Sequence, residues 1–147
     1  MAFTIRFVFT KILVAFDGSE NSTKALDLVL GLASELRDDL IVVTAVDISH
    51  LYGEGVVVPQ ESMDSAYAKA HEILDHAKSK AEEKGVGCTT EVLEGEPSHS
   101  IMDYAARSGV GLIVTGSRGL SAAKRIFLGS VSTRIVQESN IPVMVVK

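Results

Sequence analysis

Short unbroken apolar runs alternate along this chain with longer stretches whose apolar residues return every three or four positions. Ile12-Leu13-Val14-Ala15-Phe16 is the first run of strand length, and Asp17-Gly18-Ser19 stops it. Over residues 22–37, Ala25, Val29, Leu32, Ala33 and Leu36 recur at helical spacing and predict one apolar face. A second unbroken run covers residues 40–46, and a loop at 50–59 holding Gly53 and Gly55 follows it. Residues 60–84 predict a long amphipathic helix with Ala66, Ala70, Ile73, Leu74, Ala77 and Ala81 along its buried stripe. Its wet side carries Glu61, Asp64, Glu72, Asp75, Glu82 and Glu83, interleaved with Lys69, Lys78 and Lys80. Gly85 stands where a helix-ending glycine belongs. Residues 88–93 alternate as a half-exposed strand does, and a short helix over 98–107 lies between Pro97 and Gly109. A fourth strand is predicted over 110–115, a fourth helix ending near Glu138, and a last strand over 142–147.

Strands alternating with helices, several of them apolar on both faces, predict an α/β fold. The pattern fits a single doubly wound, open parallel sheet of five strands with helices on both faces, a Rossmann-like arrangement. The length of 147 residues suits one domain, with residues 1–10 an N-terminal extension and 11–147 the folded unit. Hydrophobic residues at 46% and charged residues at 22% place the chain among globular rather than disordered sequences. In the extension, Phe3, Ile5, Phe7 and Phe9 alternate with smaller or polar residues, without the order of charge, apolar core and cleavage site of a signal peptide. An added edge strand, a frayed extension and a misassigned start all remain open for it.

The net charge of −5 argues against general nucleic-acid binding, which needs a basic face to displace counterions. No apolar stretch approaches the roughly 20 residues that span a bilayer, so no membrane partner is expected. The single Cys88 excludes an internal disulfide and fits a reducing, cytoplasmic setting. His50, His71, His76 and His99 share no metal spacing, and no Gly-x-Ser-x-Gly elbow exists to expose a nucleophile.

One segment carries chemistry. The apolar strand Leu112-Ile113-Val114-Thr115 empties into Gly116-Ser117-Arg118-Gly119, nine further residues, and then Gly129-Ser130 ahead of a helix. Glycines let backbone approach an anion with its N–H groups free, and the helix start adds unpaired N–H groups and partial positive charge. Arg118, Lys124 and Arg125 bring three cations to this loop of an acidic chain. The spacing is neither a Walker A loop, lacking Gly-Lys-Ser/Thr, nor the dinucleotide Gly-x-Gly-x-x-Gly pattern. Phosphate binding and ordinary turn punctuation both remain open from the glycines alone.

Taken together, Ile12-Leu13-Val14-Ala15-Phe16-Asp17-Gly18-Ser19, Val46-Asp47, the Gly116-x2-Gly119-x9-Gly129-Ser130 spacing and the terminal Asn140-Ile141-Pro142-Val143-Met144-Val145-Val146 resemble the universal stress protein family. The likeness runs from Lys11 to Lys147, and the glycine spacing is the mark of the family's ATP-binding branch. The resemblance implies strand order 3-2-1-4-5, with the ligand crevice where the order reverses between strands 1 and 4. It implies that Asp17 faces the adenosine and ribose, that the backbone of Ala15 and Val46 touches adenine, and that Thr115 lines the adenine pocket. Gly116, Ser117, Arg118 and Gly119 would form the first phosphate turn, and Gly129, Ser130, Val131 and Ser132 the second. By pattern alone, Ala15 and Val46 are core strand residues, Asp17 a turn aspartate and Ser130 a helix cap.

The family resemblance thus implies an ATP-binding regulatory or stress-response protein, with Mg²⁺ held mainly by the phosphates and no protein metal site. Slow or absent hydrolysis, a homodimer through the last strand, and an unidentified protein partner belong to the same expectation. The alternative is an ATP-using ligase or pyrophosphatase on a related fold. Such enzymes carry a Ser-Gly-Gly-x-Asp-Ser loop after strand 1, of which Asp17-Gly18-Ser19-Glu20-Asn21-Ser22 is a faint echo. Two features depart from the family pattern: Gly111 in place of an aspartate ahead of strand 4, and the ten-residue extension.

Overall fold

The computed structural model describes residues 11–36, 39–49, 55, 57–118 and 128–147. Among the described residues five strands and four helices alternate: β1 (Lys11–Ala15), α1 (Glu20–Leu36), β2 (Asp39–Val46), α2 (Gln60–Glu83), β3 (Cys88–Glu94), α3 (Pro97–Arg107), β4 (Leu112–Gly116), α4 (Ser130–Glu138) and β5 (Val143–Val146). They form one sheet in the order β3-β2-β1-β4-β5. Every adjacent pair is parallel, as the continuous apolar runs require.

Successive side chains of the central strands point to opposite faces, so each strand feeds two cores. Val14, Val42 and Val114 join Leu26 and Leu30 of α1 and Leu74 and Ala77 of α2 on one face. Leu13, Val43 and Ile113 join Ile101 and Ala105 of α3 and Ile135 of α4 on the other. Leu13, Val43, Ile113 and Ile135 are fully buried, each contributing roughly 1.5–3 kcal/mol relative to exposure. On α1 the buried stripe is Ala25, Leu26, Val29, Leu30 and Ala33, which corrects one expectation: Leu32 is 37% exposed. It falls off the side of a stripe that advances as i, i+1, i+4, i+5 around a 3.6-residue turn.

Helix ends follow local hydrogen bonding. The α1 helix starts at Glu20, earlier than the apolar pattern suggests. Ser19 caps it: the Ser22 N–H donates to Ser19 Oγ at 3.2 Å, and the Ser19 carbonyl takes the Thr23 N–H at 2.9 Å. At the end of α2, Gly85 adopts φ +68°. Its N–H bonds the Glu82 carbonyl while the Val86 N–H reaches Ala81, closing the last turn. His71, His76 and His99 are exposed, and Cys88 is a half-buried residue at the start of β3 whose thiol pKa is pushed up chiefly by burial.

Glu96 caps α3, a role the apolar pattern gave no sign of. Its carboxylate accepts the N–H groups of Ser98 and His99 at 3.2 and 2.9 Å and the Ser98 hydroxyl at 2.6 Å, with Arg134 of α4 at 3.6 Å. Burial alone would raise this carboxyl, but those hydrogen bonds and the Arg134 charge outweigh it and hold the pKa below the ordinary carboxylate value. A depressed carboxylate pKa stabilises the fold above its unfolded value and loses that contribution as pH falls through the folded one. Glu96→Ala should therefore lower stability by about 1 kcal/mol at neutral pH. The gap to wild type should close in urea titrations run at progressively lower pH below about 4.

Candidate functional site

The sheet reverses its winding at β1, which has β2 on one side and β4 on the other. At such a switch point the loops leaving the carboxyl ends of the two strands diverge to opposite faces and leave a crevice. Ala15 and Thr115 are register partners at its floor. On the other side Ala15 pairs with Val43, and β2 runs on to Val46, a wall rising about 10 Å above the end of β1. Val46 is buried and its carbonyl accepts the Gly95 N–H at 3.0 Å, keeping a second lone pair. Ile48, Ala70 and Val46 form a small apolar cluster with Met63, Ala66 and Tyr67 at this end. The Tyr67 hydroxyl donates to the Glu94 carboxylate beside it.

Asp17 follows β1 and folds into a turn, its Oδ1 accepting the Ser19 N–H at 2.9 Å. Asp47 does the same beyond β2, holding the Ser49 amide at 2.9 Å. Across the crevice Gly116 ends β4 with no room beside it. A Cβ there would lie 2.7 Å from the Asn21 carbonyl carbon and 2.8 Å from the Ser22 nitrogen. The glycine is required by the approach of α1's first turn, apart from any ligand. Ser19 Oγ also reaches the Arg118 carbonyl at 3.5 Å, a long contact tying the two loops together. Ser19 was not among the residues implied for the site; its signal was its place between the Asp-Gly turn and a helix.

Ser117 is buried, and its N–H continues the sheet by bonding the Val146 carbonyl at 2.8 Å. The Ser117 carbonyl accepts the Gly129 N–H at 2.7 Å and the Ser132 hydroxyl at 3.1 Å. The loop thus leaves and returns at one carbonyl. Gly119, Lys124 and Arg125 lie outside the described residues, while Arg118 is half-buried at the loop's start. The α4 helix begins with Gly129 as its cap residue, in extended conformation and without a side-chain hydrogen bond. Ser130, weighed above as the cap, is instead the first helical residue and exposed. The amide row Ser130-Val131-Ser132 therefore opens the helix uncapped by any side chain among the described residues, beside the floor residues of the crevice.

The structure brings Ala15, Thr115, Gly116, Ser117, Arg118, Gly129 and Ser132 to the carboxyl edge of β1 and β4, with Asp17 and Val46 flanking them. A cavity of about 550 Å³ lined by Lys11, Cys88, Tyr104 and Ser108 lies at the opposite, amino end of the strands. There the Lys11 ammonium donates to the Ser108 carbonyl at 2.9 Å, just past the end of α3. Among the described residues, no group of three or more His, Cys, Asp or Glu is arranged to hold a metal ion. No helix there is long and apolar enough to cross a membrane.

A five-stranded, doubly wound parallel sheet in this order, with helices on both faces, defines a Rossmann-like α/β fold. The chain belongs to the universal stress protein family, whose sequence profile matches residues 9–147. It is similar to universal stress protein YxiE of Bacillus subtilis, at 42% identity over 149 residues, covering 95% of this chain and all of that protein. The solved structure of hypothetical protein MJ0577 superposes with a TM-score of 0.85 at 28% identity, covering 95% of this chain and 96% of that one. That of a universal stress protein in complex with cAMP gives 0.73 at 25% identity, covering 95% and 98%.

Gly116→Ala tests the close approach at the floor. Because the colliding atoms are backbone, α1's first turn must shift, and the variant should lose about 1–3 kcal/mol in urea unfolding. A variant as stable as wild type would show that β4 and α1 are not in this contact.

Proposed function

We propose that this chain binds an adenine nucleotide in the crevice between β1 and β4, with ATP as the ligand and Mg²⁺ held mainly by its phosphates. The observation that carries the reading is the uncapped start of α4 at the switch point. The Gly129 N–H and the Ser132 hydroxyl tie this start to the Ser117 carbonyl just past the end of β4, and backbone amides at a helix start favour an anion. The similarity to a family member solved with cAMP supports an adenine nucleotide as the ligand class. In this reading the backbone of Ala15 and Val46 meets adenine, Thr115 lines its pocket and Asp17 receives the ribose. Gly116, Ser117, Arg118 and Gly119 turn around the phosphates from one side, and Gly129, Ser130, Val131 and Ser132 from the other.

The Gly129 N–H is already given to Ser117, and the Ser132 hydroxyl to Ser117 and Gly129. Among the described residues of the second turn, phosphate oxygens are left with the amides that open α4 and the exposed Ser130 hydroxyl. When bound with ATP, Mg²⁺ supplies charge neutralisation between phosphate oxygens. Hydrolysis is slow or absent in this reading. A general base must lie within hydrogen-bond reach of the attacking water, and the carboxylates described at the strand ends are engaged: Asp17 and Asp47 each hold the amide two residues on, and Glu94 accepts the Tyr67 hydroxyl. Nucleotide occupancy then serves regulation, altering which protein the chain engages in a stress response.

Calorimetry with Mg-ATP should show binding below millimolar concentration, and Gly129→Val should abolish it while leaving the circular dichroism unchanged. Gly129 has φ −64°, which valine adopts without strain, so the loss would reflect the filled phosphate space. No binding to wild type, or turnover on the order of 1 per second or faster, would overturn the reading.

We also propose a homodimer through β5. Its four residues are all half-buried at the sheet edge, where unpaired backbone groups invite another strand. The two helices packed against it carry exposed apolar residues, Leu28 and Leu32 on α1 and Val136 on α4. A second copy about a two-fold axis would cover edge and flanks together. Light scattering should report twice the 15.7 kDa chain mass, falling to one chain for Val145→Asp and unchanged on deletion of residues 1–9. A wild-type monomer would sink the dimer.

A further inference from the structure

We infer that Ser132 is a positioning residue for the anion site, holding the start of α4 against the end of β4 before any nucleotide arrives. The inference rests on the nucleotide reading above and assigns this side chain a part other than donor to phosphate. Ser132 is 3% exposed, and its Oγ lies 3.1 Å from the Ser117 carbonyl and 3.0 Å from the Gly129 carbonyl. A serine hydroxyl carries one proton, shared here between two carbonyls that belong to the two ends of the glycine loop. The Ser117 carbonyl also takes the Gly129 N–H at 2.7 Å, and the Ser117 N–H is pinned to β5 at Val146. The chain of bonds β5–Ser117–Ser132 therefore fixes α4 to the sheet edge.

The consequence for binding is preorganisation. Amides that must first be gathered around a phosphate subtract their ordering entropy from the affinity, and amides already fixed do not. Four groups meet at this clamp, and three of them are backbone, so only the Ser132 hydroxyl can be removed by substitution without moving the chain. Ser132→Ala leaves the Gly129–Ser117 bond in place and deletes the hydroxyl that holds the helix to it. Ser132→Thr keeps the hydroxyl on the same Cβ and adds one methyl at this buried position.

The test pairs ligand-free amide exchange with nucleotide affinity. In Ser132→Ala, the Gly129 amide should exchange about tenfold faster than in wild type without nucleotide, while amides of the central strands keep their protection. AMP affinity should fall about three- to tenfold, the worth of one buried hydrogen bond, and adenosine affinity should not change. Ser132→Thr should restore both values. A loss of AMP affinity with unchanged Gly129 exchange would make Ser132 a direct donor and overturn the inference. Accelerated exchange across the whole sheet would make it a general stability residue, and unchanged AMP affinity would remove its part in binding; either overturns it. If wild type binds neither AMP nor ATP, the nucleotide reading itself falls, a failure visible without any variant.

Discussion

Between the end of β4 and the first turn of α1 there is room for backbone and nothing more. A single methyl on Gly116 would come within 2.7 Å of the Asn21 carbonyl carbon. That contact sets the distance between the two loops that leave the sheet at its switch point. With it in place, the Ser19 hydroxyl can both cap α1 and reach the Arg118 carbonyl. Thr115 stands level with Ala15, and Ser117 falls where its N–H meets Val146 and its carbonyl meets Gly129. The glycine motif thus has two physical parts. Gly116 allows elements to touch, whereas Gly129 opens a helix.

The helix starts at this edge differ in how their amides are satisfied. Ser19 fills the start of α1 and the Glu96 carboxylate fills that of α3. The starts of α2, behind Pro59, and of α4 have no side-chain cap, and at α4 this holds although Ser130 and Ser132 are both at hand. Ser130 stands one residue too late to cap, and Ser132 is turned inward onto the loop ends. In the proposed reading, a chain of net charge −5 receives a polyanion here through local backbone dipoles and the cations of the glycine loop rather than through a general basic face. The carboxylates nearby, Asp17 and Asp47, are turned back onto their own loops by the Ser19 and Ser49 amides.

The strand positions were legible because residues buried on both faces must be apolar without interruption, as in Ile12–Phe16 and Leu112–Thr115. The order of the strands was not contained in those runs; it came from the family resemblance carried by the glycine spacing and the flanking motifs. Leu32 misled because a helix on a sheet buries a stripe and leaves its shoulders wet, and a leucine on the shoulder fits the spacing as well as one in the stripe. Glu96 was hidden because its role depends on reaching back over Pro97 to amides two and three residues on, which no apolar period marks. For Gly116 the residue type was visible but its cause was not, since the colliding atoms of Asn21 and Ser22 are distant in sequence. The same holds for Ser132, whose partners lie at both ends of a long loop.

The proposed nucleotide crevice lies at the carboxyl edge of β1 and β4. Mapping amide chemical shifts of the ¹⁵N-labelled protein during an ATP titration addresses it most directly. With nucleotide in this crevice, the largest changes fall on Asp17–Ser19, Thr115–Arg118 and Ser130–Ser132. Changes centred instead on Lys11, Cys88, Tyr104 and Ser108, at the opposite end of the strands, or no changes at saturating nucleotide, would contradict it.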